Sequence, residues 1–143
     1  MLKSALGGES VKLDQLEWHP LPEGFVMWKL LHVSSEAGSW TVMFQAPKGS
    51  SFAGHIHSGP GEYFLTKGKI EVRGGETEGG VSATGPSYGY EACNARHDET
   101  LILEDSEIYM TFQGPLQLID DEGRTIGVLG WEQAQAMWDE QTG

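Results

Sequence analysis

Glycine is spread along this chain in a way that restricts its fold more than any other feature. Twenty of the 143 residues are glycine, about twice the usual share, and they separate short apolar stretches instead of forming one low-complexity tract. Short apolar segments between frequent turn residues are typical of β proteins with many turns. The sequence shows no repeat of fixed period and no linker-like segment, so we expect residues 1–143 to form a single domain.

Alternation of residue types predicts where the strands lie. Large apolar residues recur at every second position over residues 40–44, which indicates a strand with one buried face. Residues 63–65 and 69–73 show the same period on both sides of Lys67-Gly68 and predict a hairpin. Further strand-like segments cover residues 101–103, 108–112, 116–120 and 125–128, of which the last two predict a second hairpin.

A helical period appears only at the C-terminal end of the sequence. Trp131, Ala134, Gln135 and Trp138 fall at positions i, i+3, i+4 and i+7. This spacing predicts a short helix over about residues 131–140, packed on the strands.

The N-terminal part of the sequence gives a weaker signal. Pro20 and Pro22 interrupt residues 13–31, so we expect one or two short strands there. Eight or more strands in one small domain form a sandwich or a closed barrel. We therefore predict an all-β fold with its core over about residues 25–130.

The charge of the chain excludes several kinds of partner. Twenty-one acidic and nine basic residues give a formal net charge of −12, which repels phosphate backbones and anionic lipid surfaces. We therefore expect neither a nucleic-acid nor a membrane partner. Cys93 is the single cysteine, and the first ten residues lack the apolar run of a signal peptide, so we expect a cytoplasmic protein. A lone thiol is more often a small packing residue than a ligand.

A pair of histidines provides the clearest chemical signal. His55 and His57 are two residues apart, and on a strand their side chains project from the same face, roughly 6.6 Å apart. Two such rings can converge on one metal ion. The pair alone is a weak signal, because two surface or hydrogen-bonded core histidines would give the same pattern.

The wider pattern resembles the two split motifs of the cupin superfamily. The first motif reads G-x5-H-x-H-x4-E followed by glycine, and the second contains proline, glycine and a distant histidine. The residues that carry this resemblance are Gly49, His55, His57, Glu62, Gly68, Pro86, Gly89 and His97. The spacing departs from the general cupin pattern, since five residues separate Glu62 from Gly68 and seven separate Gly89 from His97.

A narrower resemblance covers most of the chain, from about residue 25 to residue 138. The segments SSFAGHIHSGPGEYFLTKGKIEVRGGETEGG, GPSYGYEA, YMTFQGPL and VLGWEQAQAMW are similar to those of the acetylacetone-cleaving dioxygenases among the cupins. This resemblance implies a jelly-roll β-barrel, or double-stranded β-helix, with a short C-terminal helix. It also implies a non-haem Fe(II) site held by His55, His57 and His97, with Glu62 as a neighbour or barrel-wall group instead of a ligand.

The resemblance implies roles for six further residues. Glu91 would orient a ligand imidazole or a bound water, Arg73 would favour an enolate substrate, and Tyr63 would act beside them, so that these three are the candidate catalytic groups. Phe52, Ile108 and Phe112 would line the substrate pocket, and Ile108 stands where an aromatic residue is expected. The residue pattern alone also allows a solvated Arg73, a surface Glu91 and ordinary core aromatics.

The function implied is cleavage of a C–C bond of a β-diketone by O2, in a homodimer or homotetramer. Zinc or nickel is expected to occupy the same ligands in recombinant protein, because Fe(II) ranks low in the affinity order. Three alternatives stay open at this point: a dioxygenase for another ketone such as a hydroxyacetophenone, a non-enzymatic metal-binding cupin, and a sugar isomerase or epimerase. His19 and His32 have no partner spacing and are left out of the site.

Overall fold

The computed structural model describes residues 2–3, 9–22, 25–97 and 99–143, so the first residue of the predicted domain lies outside the described residues. Strands dominate the chain, and one helix ends it. In chain order the elements are β1 (Leu2–Lys3), β2 (Glu9–Ser10), β3 (His19–Pro20), β4 (Met27–Ser34), β5 (Ser39–Ala46), β6 (Ser51–Phe52), β7 (His55–His57), β8 (Gly61–Val72), β9 (Val81–Thr84), β10 (Ser87–Glu91), β11 (Arg96–His97), β12 (Thr100–Phe112), β13 (Leu116–Ile119), β14 (Thr125–Leu129) and α1 (Trp131–Thr142), with 3-10 turns at Leu13–Gln15 and Glu76–Glu78. The predicted all-β fold with a C-terminal helix is confirmed.

Two antiparallel sheets enclose the core within the described residues. The large sheet has the strand order β10-β8-β12-β5-β4-β3, with β6 attached to β12 and β9 attached to β8. The small sheet has the order β11-β7-β13-β14, and β1 pairs with β2 apart from both. Residues from both sheets line one cavity, which therefore lies between the sheets.

The inner face of the large sheet is built from paired apolar side chains. Met110 on β12 lies between Val42 on β5 and Tyr63 on β8 in the strand register, and all three side chains are buried. At the next paired position, the rings of Trp40 and Phe112 stack with centroids 4.1 Å apart. Side chains at directly opposed positions stabilise the pairing of their strands, so β12 serves as the central strand of the inner face.

Helix α1 closes one side of this core. Ala134 is fully buried, and Trp138 packs edge-to-face on Trp28 with centroids 5.4 Å apart. The indole N–H of Trp28 donates to Gln141 Oε1 at 2.9 Å. The predicted helix is confirmed and continues two residues beyond the predicted end at residue 140. No helix in the described part of the chain has the length and apolar character needed to cross a membrane.

The predicted hairpin at Lys67-Gly68 is wrong, because β8 runs without reversal from Gly61 to Val72. Gly68 adopts φ +104°, and the register with β12 shifts opposite residues 104–107. A glycine with positive φ bulges a strand as readily as it forms a turn. The segments predicted at residues 101–103 and 108–112 are likewise one strand, β12.

Two other predictions about the strands are confirmed. The segments predicted at residues 116–120 and 125–128 form β13 and β14, which pair as a hairpin. In its turn, Arg124 Nε donates to Asp120 Oδ2 at 3.0 Å, and the backbone N–H of Arg124 is the main reason that the pKa of Asp120 is lowered. Residues 13–31 contain β3 and the first part of β4, which is longer than expected because it pairs along β5.

The bulge at Gly68 makes a stability prediction. A Cβ built on Gly68 would overlap Ser106 and the carbonyl oxygen of Asp105, whereas Gly79 has φ +80° and open space around its Cβ position. We expect Gly68→Ala to lower the free energy of unfolding by about 2–4 kcal/mol, from backbone strain and overlap together. Gly79→Ala, which adds strain without overlap, should lower it by only about 1 kcal/mol. Urea unfolding of both variants measures the difference. Equal losses in the free energy of unfolding would show that the overlap at Gly68 is relieved.

Candidate metal centre

Three histidines meet at one end of the cavity. His55 and His57 lie on β7, and His97 on β11 is the direct antiparallel partner of His55. The ring centroids are 5.0 Å apart for His55 and His57, 5.1 Å for His55 and His97, and 4.9 Å for His57 and His97. One nitrogen from each ring lies within 4.8 Å of the other two. The cluster has the ligand type and the spacing of a metal site.

Hydrogen bonds to Nδ1 fix the orientation of two of these rings. His55 Nδ1 lies 2.8 Å from the backbone carbonyl of Ala53, and His97 Nδ1 lies 2.8 Å from Glu91 Oε2. Both partners are acceptors, so each Nδ1 carries the proton and Nε2 keeps its lone pair. This arrangement fixes the orientation of a ligand ring and raises its basicity toward a metal.

His57 provides the test of whether a metal fits. Its side chain is fully buried, and neither ring nitrogen has a hydrogen-bond partner within the described residues. Its Nε2 lies 3.4 Å from Glu91 Oε2, and its ring lies nearly parallel to that of Phe112 at 6.0 Å. A buried polar atom without a partner is unfavourable, and a divalent cation bound to Nε2 of His57 would give that nitrogen a partner. The residues present therefore fit a metal ion.

Burial keeps two of the candidate ligand imidazoles, His55 and His97, neutral. It lowers the pKa of His97 to about 4, outweighing the opposite effect of the Glu91 carboxylate. The pKa of His55 is also lowered, again mainly by burial. Both rings are therefore unprotonated at neutral pH, and their lone pairs are free for a cation without prior loss of a proton. Imidazole ligands suit Fe, Zn, Ni and Cu alike.

Glu91 and Tyr63 lie beside this cluster, as the sequence predicts. Glu91 ends β10, is 13% exposed, and lines the cavity. Tyr63 on β8 is buried and lines the same cavity, and burial, with a smaller effect of Glu91, raises the pKa of its phenol. Gly89 lies opposite Tyr63 in the register, and a Cβ there would overlap the phenol ring. The glycine therefore makes room for Tyr63.

The predicted pocket residues all line the cavity. Its volume is about 570 Å³, and its wall includes Phe52, Ile108 and Phe112. Phe52 packs edge-to-face on Phe44 with centroids 5.0 Å apart. Their contact with a substrate stays a prediction.

Arg73 is the candidate that the structure does not bring to the cavity wall. It lies in the turn after β8 with φ 55°, is exposed, and is absent from the described residues that line the cavity. Its charge nevertheless lowers the pKa of His97 slightly, as the smallest of several contributions. Its catalytic role stays a prediction.

The remaining polar candidates lie away from the centre. Glu62 accepts a hydrogen bond from the exposed Tyr88 hydroxyl, on the face of β8 opposite to Tyr63. His19 packs edge-to-face on Trp138 at 5.0 Å, and His32 is exposed. Cys93 is exposed instead of filling a core position, and its thiol donates to the carbonyl of Ser58 at 3.1 Å.

Sequence reasoning missed the part of the cavity wall that comes from both ends of the chain. These residues carry no local signal, because only tertiary packing brings them to the cavity. They are Leu21, Pro22, Phe25, Val26, Trp28, Leu129 and Met137.

Metal binding tests the cluster directly. After chelator treatment, we expect the protein to bind one Zn(II) or Co(II) per chain, and His57→Ala to lose that binding. Glu91→Gln, which removes the charge behind His97, should weaken the affinity by about 10- to 100-fold. Metal analysis and Co(II) absorption measure both effects. His19→Ala is the control and should keep the stoichiometry, and an unchanged affinity in Glu91→Gln would contradict the orienting role of Glu91.

Known proteins show the same fold with closely similar sequences. The model of the family described as ChrR cupin-like domain matches residues 7–117. The acetylacetone-cleaving enzyme of Acinetobacter johnsonii is 54% identical over 134 residues, which cover 91% of this chain and 88% of that enzyme.

Two crystal structures extend the comparison to three dimensions. The acetylacetone dioxygenase of Acinetobacter johnsonii gives a TM-score of 0.90 at 52% identity and covers 98% of this chain and 97% of its own. A candidate acetylacetone dioxygenase of Methylibium petroleiphilum PM1 gives 0.90 at 56% identity, with 96% and 99% covered. The resemblance inferred from the sequence motifs is confirmed, and the chain belongs to the family of ChrR cupin-like domains.

Proposed function

We propose that this protein is an Fe(II)-dependent dioxygenase that cleaves a C–C bond of a β-diketone or a related ketone. The observation that carries the proposal is the cluster of His55, His57 and His97 at the wall of a mostly apolar cavity, which His55 and His97 line. The similarity to an enzyme named for acetylacetone cleavage supports the substrate class. The proposed overall reaction consumes one diketone and one O2 and yields a carboxylic acid and an α-dicarbonyl compound, so that all atoms are accounted for.

His55, His57 and His97 would hold the iron, and their neutrality determines what else binds there. When bound, Fe(II) would supply a redox-active centre at which O2 can react with the substrate, which itself provides the electrons that reduce O2, and a positive charge beside the substrate. Three uncharged imidazoles leave that charge uncompensated by protein ligands, so an anionic enolate with two oxygens is attracted to the site. A β-diketone forms such an enolate readily.

Glu91 and Tyr63 would act as positioning residues around the reacting group. Glu91 Oε2 accepts a hydrogen bond from Nδ1 of His97, 2.8 Å away, and thereby orients Nε2 of His97 toward the other two histidines. Tyr63 keeps its proton because its pKa is raised by burial, so its hydroxyl can donate a hydrogen bond to a substrate oxygen. Arg73 would act at longer range, through a positive charge that favours an anionic substrate.

The aromatic and aliphatic wall would exclude water from the reaction. Phe52, Ile108 and Phe112 line the cavity, and the ring of Phe112 also stacks on that of His57. A dry cavity strengthens electrostatic interactions within it and protects reactive species from hydrolysis.

Oxygen uptake tests the proposal. Metal-free protein is reconstituted with Fe(II) without air and then given acetylacetone and O2. It should consume O2 and the enolate, which is followed by its absorbance, in equal molar amounts. The Zn(II)-loaded protein should be inactive, because Zn(II) has no redox chemistry. His97→Ala should lose activity together with Fe(II).

Each contrary result points to a different function. Uptake with a hydroxyacetophenone but not with acetylacetone would keep the dioxygenase and change the substrate. A fully loaded Fe(II) protein that takes up no O2 with either compound would refute the proposal and favour a metal-binding role without turnover.

We also propose that the protein acts in the cytoplasm as a homodimer or homotetramer of one-domain chains. The single cysteine is compatible with a reducing compartment. An apolar patch on the outer face supports assembly: Phe64 is 59%, Tyr88 52% and Tyr90 61% exposed, and the rings of Phe64 and Tyr88 lie 5.4 Å apart. The patch includes β10, which ends the large sheet, and an edge strand can pair with its own copy.

Light scattering measures the assembly. We expect a mass of two or four times the chain mass of 15.6 kDa. Tyr90→Asp places a charge in the patch and should shift the protein toward single chains. Val81→Asp, at an exposed position on β9, is the matched control and should not. A wild-type mass of one chain would contradict the assembly, and an unaffected Tyr90→Asp would exclude this patch as the interface.

A further inference from the structure

The cavity is much larger than the smallest diketone. Its volume is about 570 Å³, which lies in the range of sites for drug-sized ligands. Acetylacetone would fill on the order of 200 Å³ at the ~30 Å³ that each small group takes up in a liquid. More than half of the cavity therefore stays free when the diketone group lies at the histidines.

The ionisable groups of the cavity wall lie together at the histidine cluster. His97 and Glu91 are 7% and 13% exposed, and Tyr63 is buried beside them. On the small sheet, Leu116 is the direct neighbour of His57, and Leu129 is the direct neighbour of Leu116. Apolar side chains thus begin one position away from the metal centre on this sheet. The other polar side chains of the wall are the hydroxyls of Ser50, Ser51 and Thr100, so a ligand that extends from the centre meets mostly apolar groups.

The apolar part of the cavity wall also includes residues from the helix and the N-terminal segment. Met137 of α1 and Leu21 of the N-terminal segment also line the cavity. Two large apolar side chains of the wall are highly exposed, Phe25 at 75% and Val128 at 51%, so the cavity opens to solvent beside them. This part of the cavity mouth is therefore apolar, and the exposed ring of Phe25 lies at its rim.

We infer that the substrate carries an extended apolar substituent on one side of its dicarbonyl group, and that Phe25 contacts the far end of that substituent. This inference rests on the proposed function, because it places the dicarbonyl group at the three histidines. An alkyl chain of several carbons would fill the free volume, and its burial would strengthen binding with each methylene. Phe25 is then a specificity-determining residue at the mouth.

A series of homologues tests the inference. The probes are acetylacetone and its homologues in which a propyl or pentyl group replaces one terminal methyl group. We expect KM to fall by roughly fourfold for each methylene that is buried, while kcat changes little, because this binding is equal in the ground and transition states. Phe25→Ala should raise the KM of the pentyl homologue, relative to that of acetylacetone, by about fivefold.

Ile126→Ala is the matched control. Ile126 is 68% exposed, similar to Phe25, but it is not among the described residues that line the cavity. The ratio of the two KM values should be the same in this variant as in the wild type. An equal shift in both variants would refute the role of Phe25.

A binding measurement separates this inference from the proposed function. Trp28 and Trp40 line the cavity, so tryptophan fluorescence of the Zn(II)-loaded protein reports binding without turnover. The pentyl homologue should bind more tightly than acetylacetone. Equal affinities, with acetylacetone still cleaved by the Fe(II) protein, would overturn this inference alone. Tighter binding of the pentyl homologue without cleavage of any diketone would support the apolar site and refute the proposed reaction.

Discussion

The metal centre depends on the burial of three imidazole rings in a largely apolar cavity. Burial lowers the pKa of His97 and of His55 and so keeps both rings neutral. It also removes water from the nitrogens of His57, which have no other partner within the described residues. A carbonyl and the carboxylate of Glu91 then fix the direction of two rings. The same burial therefore prepares the cluster for a cation.

The large sheet provides much of the cavity wall, and close backbone packing makes this possible. Tyr63 reaches the cavity over Gly89, where a larger residue would displace its ring. Gly68 lets β8 bulge against Ser106 without ending the strand. The two glycines act differently: one leaves space for a side chain, and the other adopts a conformation that other residues rarely adopt.

Local patterns predicted the parts of the fold that depend on one segment at a time. The period-two runs located β5 and the hairpin of β13 and β14, and the 3.6-residue period located α1. The prediction failed at Lys67-Gly68, because a positive φ serves a turn and a bulge equally well, and only pairing with β12 decides between them. For Arg73 the residue pattern left a pocket role and a solvated position both open, and only the turn after β8 showed that its side chain is exposed.

The sequence by itself determined the all-β class, the pair His55 and His57 on one face of a strand, and, through its motifs, the family, whose resemblance predicted His97 as the third candidate ligand. These features follow from local periodicity and from short motifs, which depend only on residues close together in the sequence. Only the tertiary structure decided that His97 pairs directly with His55, that Glu91 lies behind the cluster, and that Phe25 and α1 extend the cavity to its mouth. Those contacts join residues far apart in the chain, and their positions follow from how the sheets and the helix pack together, which no single segment encodes.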